Sequence, residues 1–91
     1  MLWMIAYDIS DDRTRRRVER RLLDHGERVQ WSVFECALDA PTLARLRADL
    51  ADLIDPGRDS VRYYPVCHWC ETRLDWIGQG RRPEDPDLWI V

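Results

Sequence analysis

The sequence predicts an α+β fold in which two helices cover one face of an antiparallel sheet. Three observations carry that expectation. Apolar spacing alternates between a two-residue and a three- to four-residue period, in the order strand, helix, strand, strand, helix, strand. The 91 residues leave room for one domain and one core. With 45% hydrophobic and 34% charged residues, the composition is that of a chain that folds rather than one that stays disordered.

The first strand is expected over Leu2–Ile9. Trp3, Ile5, Tyr7 and Ile9 share one face; Leu2, Met4 and Ala6 share the other, which ends in Asp8. A short run this rich in aromatic and branched residues reads as a central strand buried on both sides. Ser10, Asp11 and Asp12 then supply an N-cap and first-turn acids, so a helix runs from here to about His25, with Gly26 as its stop. Val18, Leu22 and Leu23 form its narrow apolar stripe, and Arg13, Arg16, Arg17 and Arg20 recur along the outward side. Glu27–Leu38 is too long for one straight strand and is read as two, turning near Gln30–Ser32. Ala40–Ile54 is the clearest helix: Leu43, Leu46, Leu50 and Leu53 make one stripe, Ile54 widens it, and Pro41 suits the first turn. Asp55-Pro56-Gly57 is a turn, and Arg58–Val66 a further strand with Pro65 near its end.

This order is a split βαβ, a ferredoxin-like β-α-β-β-α-β sandwich over residues 1–78. A C-terminal tail, residues 79–91, follows, and its Leu88–Val91 segment can add a strand to a dimer or partner. Two helices cover only one face of the sheet, yet the first strand is apolar on both. A second copy of the chain is the expected cover, which predicts a homodimer with its sheets face to face.

The net charge of −3 argues against a nucleic-acid partner until its distribution is seen. All fourteen basic residues are arginine, and six of them fall in Arg13–Arg21 against Glu19 alone, a local charge of +5. Codon bias explains arginine without lysine, but not the clustering. No apolar run is long enough to span a membrane, and MLWMIAYD lacks the basic lead of a signal peptide. Three cysteines, Cys36, Cys67 and Cys70, are too few for a disulfide scaffold, and a cytoplasmic location is expected.

Three features are able to carry chemistry. Asp8 follows an apolar strand outside the capping position, where a carboxylate can hold a hard cation such as magnesium, and a two-fold axis would let two Asp8 residues share it. Asp11 and Asp12 read as cap and helix-dipole acids. The arginine stripe is either a phosphate-binding face or a solvated surface partly neutralised by Glu19, Asp24 and Glu27. Cys67-His68-Trp69-Cys70 is a CxxC, open to three readings: a zinc half-site short of two ligands, a redox pair outside a thioredoxin-like context, or small buried thiols at a strand end, the last being favoured. Most of the five tryptophans are read as core or interface.

Tyr7 through Leu38, YDISDDRTRRRVERRLLDHGERVQWSVFECAL, together with Ser60–Pro65 and the CxxC after it, resembles the small CRISPR-associated nuclease family, the second of the two core CRISPR adaptation proteins (Cas-two). The resemblance spans about residues 1–78. It implies a ferredoxin-like homodimer and magnesium, or another divalent cation such as manganese, bound by Asp8 of both subunits. It also implies endonuclease activity on single-stranded RNA, double-stranded DNA or both, and a partnership with dimers of the CRISPR integrase. Position by position, Asp8 matches the catalytic metal ligand. Arg15, Arg17, Arg28 and Phe34 match positions tied to nucleic acid or site geometry, with Phe34 shaping the site. Arg15 leans toward the inner side of its helix, which suggests a local role. Against the enzyme stands a scaffold that positions nucleic acid without cutting it, since one carboxylate per chain is a small catalytic inventory. A regulatory ferredoxin-fold dimer is a third reading.

Overall fold

The computed structural model describes residues 1–73, 75 and 77; the expected tail, including its Leu88–Val91 strand, lies outside the described residues. The elements follow in the order β1 (Leu2–Asp8), α1 (Asp12–Leu23), β2 (Gly26–Gln30), β3 (Val33–Ala37), α2 (Ala40–Leu53), β4 (Ser60–Val66) and α3 (His68–Glu71). The strand order is β2-β3-β1-β4, with every neighbour antiparallel. β1 is therefore internal, as its two apolar faces require. Pro65, which cannot donate to a ladder, sits in an edge strand.

The register sorts every strand residue to one side. Ile5 pairs with Phe34 and Tyr63, so these three lie on the face that the helices cover. Val18 and Leu22 of α1 and Leu46 and Leu50 of α2 close over Ile5, Tyr7, Phe34 and Cys36 to make one core. Each such fully buried side chain contributes about 1.5–3 kcal/mol. Arg21 ties the helices together through Asp49 at 2.7 Å. Met4, Ala6 and Asp8 lie on the opposite face with Tyr64, Arg62, Ser60, Glu35 and Val33. No helix among the described residues is long and apolar enough to cross a membrane.

Local boundaries correct four expectations. α1 ends at Leu23, with Asp24 as C-cap, so it does not reach His25. Gly26 is the first residue of β2 rather than a helix stop: a Cβ there would stand 1.9 Å from the Glu35 carbonyl oxygen and 2.8 Å from Cys36 Sγ. Close approach of two strands, not helix termination, demands the glycine. β4 starts at Ser60 rather than Arg58 because Asp55 binds the intervening loop, its Oδ1 accepting from Gly57 N–H at 3.0 Å and its carbonyl from Asp59 N–H at 2.7 Å. The short helix α3 was not anticipated. The turn at Trp31–Ser32 falls inside the expected bend, and Pro41 occupies the first turn of α2 behind its N-cap Asp39.

Candidate nucleic-acid interface and metal centre

The acids after β1 have separate duties. Asp11 Oδ2 accepts the Thr14 N–H and the Thr14 hydroxyl, both at 2.8 Å, and these bonds hold its carboxyl below the usual carboxylate range. Asp12 pairs with Arg15 at 2.6 Å. Both are consumed locally, as the capping and dipole readings expected. Asp8 is exposed at the end of β1, opposite Ser60 of β4, and its side chain makes no hydrogen bond or ion pair among the described residues. Its charge reaches Arg62, which pairs with Ala6 two residues back along β1. Hydrogen bonding with Tyr64 is the larger cause that raises the Arg62 pKa, and the field of Asp8 adds to it. Arg62 and Tyr64 were not singled out from sequence. The alternation Ser60, Arg62, Tyr64 was visible there, but its face was set only by the register with β1.

The basic residues divide in the same way. Arg15 and Arg21 are engaged by Asp12 and Asp49. Arg13, Arg16, Arg17 and Arg20 are exposed and form no ion pair among the described residues. Glu19 does not neutralise them: it pairs with Arg28 at 2.7 Å and accepts from the Tyr7 hydroxyl. Tyr7 also lies 3.2 Å from the Trp31 carbonyl oxygen. Burial first, then Glu19, pushes the Tyr7 hydroxyl up to about 12, so it remains a neutral donor. Arg28 stacks 5.6 Å from the centroid of Phe34, which is fully buried. Phe34 thus shapes the sheet beneath Arg28 rather than a surface cleft. Asp8 stands on the other face from the Arg28–Phe34 pair, so one chain does not bring these sequence-predicted residues together.

Of the described tryptophans, Trp3 packs on the core, whereas Trp31 and Trp69 are 87% and 66% exposed in the single chain, where only an interface would cover them. One further reading is revised: Cys67 and Cys70 are exposed, so the favoured reading of small buried thiols fails for both, whereas Cys36 is buried.

The donor set for a metal is narrow. Among the described residues no group of three His, Cys, Asp or Glu side chains converges. Asp8 offers an exposed carboxylate on the open face with no ion-pair partner among the described residues, which suits a hard cation that keeps most of its waters and takes a second carboxylate from another copy.

Comparisons with known proteins converge. Residues 1–74 match the family described as CRISPR associated protein Cas2. A CRISPR-associated endoribonuclease Cas2 of Chloroflexus aurantiacus is 40% identical over all of both chains. A CRISPR-associated endonuclease Cas2 of Thermus thermophilus is 45% identical over 99% of this chain and 96% of its own. A chain of a partial Cas6-RT-Cas1–Cas2 complex superposes with a TM-score of 0.70 at 26% identity, covering 84% of this chain and 89% of that one.

Proposed function

The chain belongs to the CRISPR associated protein Cas2 family, and from that membership we propose that it is a divalent-cation-dependent endonuclease that acts as a homodimer. The observation that carries the proposal is Asp8, an exposed and unengaged carboxylate at the end of an internal strand, on the sheet face the helices leave open. A second copy laid on that face covers Met4 and Ala6 and brings two Asp8 side chains toward one axis. The Asp8 side chains would hold magnesium or manganese, which when bound would supply Lewis-acid polarisation of a phosphoryl oxygen. Asp8 binds the cation and fixes where the scissile phosphate can sit. Arg62 offsets charge beside Asp8, and Arg13, Arg16, Arg17 and Arg20 hold the nucleic-acid backbone along the outside of α1. Arg15 and Arg28, assigned the same role, are also engaged within the chain by Asp12 and Glu19. The substrates proposed are single-stranded RNA, double-stranded DNA or both; one of the two relatives is named an endoribonuclease and the other an endonuclease.

The test is cleavage of RNA and DNA, with and without magnesium, by wild type, Asp8→Ala and the double variant Arg16→Glu/Arg20→Glu. Asp8→Ala is expected to lose at least about 100-fold in cleavage, while its stability stays within about 0.5 kcal/mol of wild type. The double variant loses nucleic-acid affinity, most strongly at low salt. Equal cleavage by wild type and Asp8→Ala would sink the enzymatic reading.

The likeness to a chain of a Cas1–Cas2 complex favours a second reading, in which the dimer is a scaffold joining integrase dimers on nucleic acid. Under it, Asp8→Ala still binds integrase and captures spacers, and only the arginine variants fail.

A further inference from the structure

The exposed Cys67–Cys70 pair plays no part in the nuclease reading. β4 ends at Val66, and Cys67 is the N-cap of α3, in extended conformation with φ −69° and ψ 163°. The one-turn helix His68–Glu71 brings Cys70 back over it, so that Cys67 Sγ accepts the Cys70 N–H at 3.4 Å. Both side chains are exposed and free. The cation of Arg73, stacked 3.7 Å from the centroid of the Trp69 ring, adds positive charge beside Cys70. Proximity, exposure and positive charge are the conditions under which thiols react.

We propose that Cys67 and Cys70 form a dithiol–disulfide exchange site whose substrate is a low-molecular-weight disulfide. The Cys67 thiolate attacks one sulfur of the external disulfide; a Cys67–sulfur bond forms, and the first thiolate leaves. Cys70 then loses its proton and attacks the Cys67 sulfur, forming the Cys67–Cys70 bond and expelling the second thiolate. The protein gives up two electrons and two protons, and the external disulfide is reduced to two thiols. Cys67 is the entry point because the Cys70 N–H, and then the Cys70 thiol, stabilise its thiolate and lower its pKa. The charge and hydrogen bonding of Cys67 move Cys70 the opposite way, as suits the resolving partner. Cys36 is an internal control: it is fully buried, and burial followed by Glu35 pushes its thiol up to about 12.

The experiment equilibrates the full chain with graded ratios of reduced to oxidised glutathione, quenches with acid, alkylates, and maps thiols by mass. Wild type is expected to convert to one species lighter by the two thiol hydrogens, bridged at Cys67–Cys70, with Cys36 reduced throughout. Cys70→Ser stops at a glutathione adduct on Cys67. Cys67→Ser, which keeps a capping oxygen, forms its adduct on Cys70 about threefold or more slowly at neutral pH. The assignment is overturned if wild type stays reduced or halts at the adduct, if the bridge joins two chains, or if the two single variants react at equal rates. Stoichiometric zinc that shields both thiols would also overturn it, in favour of a metal half-site.

Discussion

The two faces of this sheet use the same residue types to opposite ends. On the helix-covered face an acid, an arginine and a tyrosine, Glu19, Arg28 and Tyr7, close on one another above Phe34. On the open face an acid, an arginine and a tyrosine, Asp8, Arg62 and Tyr64, line one row, and the acid keeps its lone pairs for something outside the chain. The lesson is that charge and aromaticity do not mark a site; the absence of an internal partner does. A network that satisfies itself stabilises the fold, whereas a carboxylate left unpaired at a strand end is available for a ligand.

That contrast can be broken by substitution. The largest expected effect is Phe34→Ala, which empties the floor of the covered network and costs about 3–5 kcal/mol by denaturant unfolding. A loss below about 1 kcal/mol would mean that Phe34 is not a core residue in solution. Next is Tyr7→Phe, which removes a donor from Glu19 and is expected to cost about 1–2 kcal/mol, with cleavage retained once the protein is held well below its melting temperature. If Tyr7→Phe abolished cleavage at full stability, the covered face would belong to the active site and the division drawn above would fall.

The smallest effect lies on the open face. Glu35 stands opposite Glu27 in the β2–β3 pair, and its pKa is raised above the ordinary 4.5, by burial first and then by Glu27. The folded chain therefore holds that proton more tightly than the unfolded chain. The penalty is absent below the ordinary value and grows as pH rises through the folded pKa, so stability falls over that window. Glu35→Gln is expected to flatten this fall and to stabilise the protein at neutral pH. The gain should stay below about 1 kcal/mol, because the side chain is only half-buried and solvent screens it. Melting temperatures from mildly acid to neutral pH check the sign.

Much of this was legible in the linear chain. Alternation along Leu2–Ile9 and leucines at three- and four-residue spacing in α2 are local signals, and they placed β1 at the centre and α2 within a residue of its observed ends. Asp11 could be read as a helix start for the same reason, since a cap needs only the next three residues. The arginine cluster was equally plain, and its outward members Arg13, Arg16, Arg17 and Arg20 are exposed. Gly26 misled because a glycine after a helix has two physical meanings, and only the approach of Glu35 and Cys36 chooses between them. The CxxC misled because its place at a strand end suggested small buried thiols, and α3 carries both to the surface.

By itself, then, the sequence determined the order of elements, the faces of β1 and the position of Asp8 at its end. Each follows from the period of a strand or a helix over a few neighbouring residues. Only the tertiary structure decided which charges are consumed. Glu19 meets Tyr7 across 12 residues and Arg21 meets Asp49 across 28, and such partners are chosen by register and helix packing rather than by local spacing. It also decided that Arg28 and Phe34 lie behind the sheet from Asp8, because a strand sends successive side chains to opposite sides and pairing alone sets which side the helices cover.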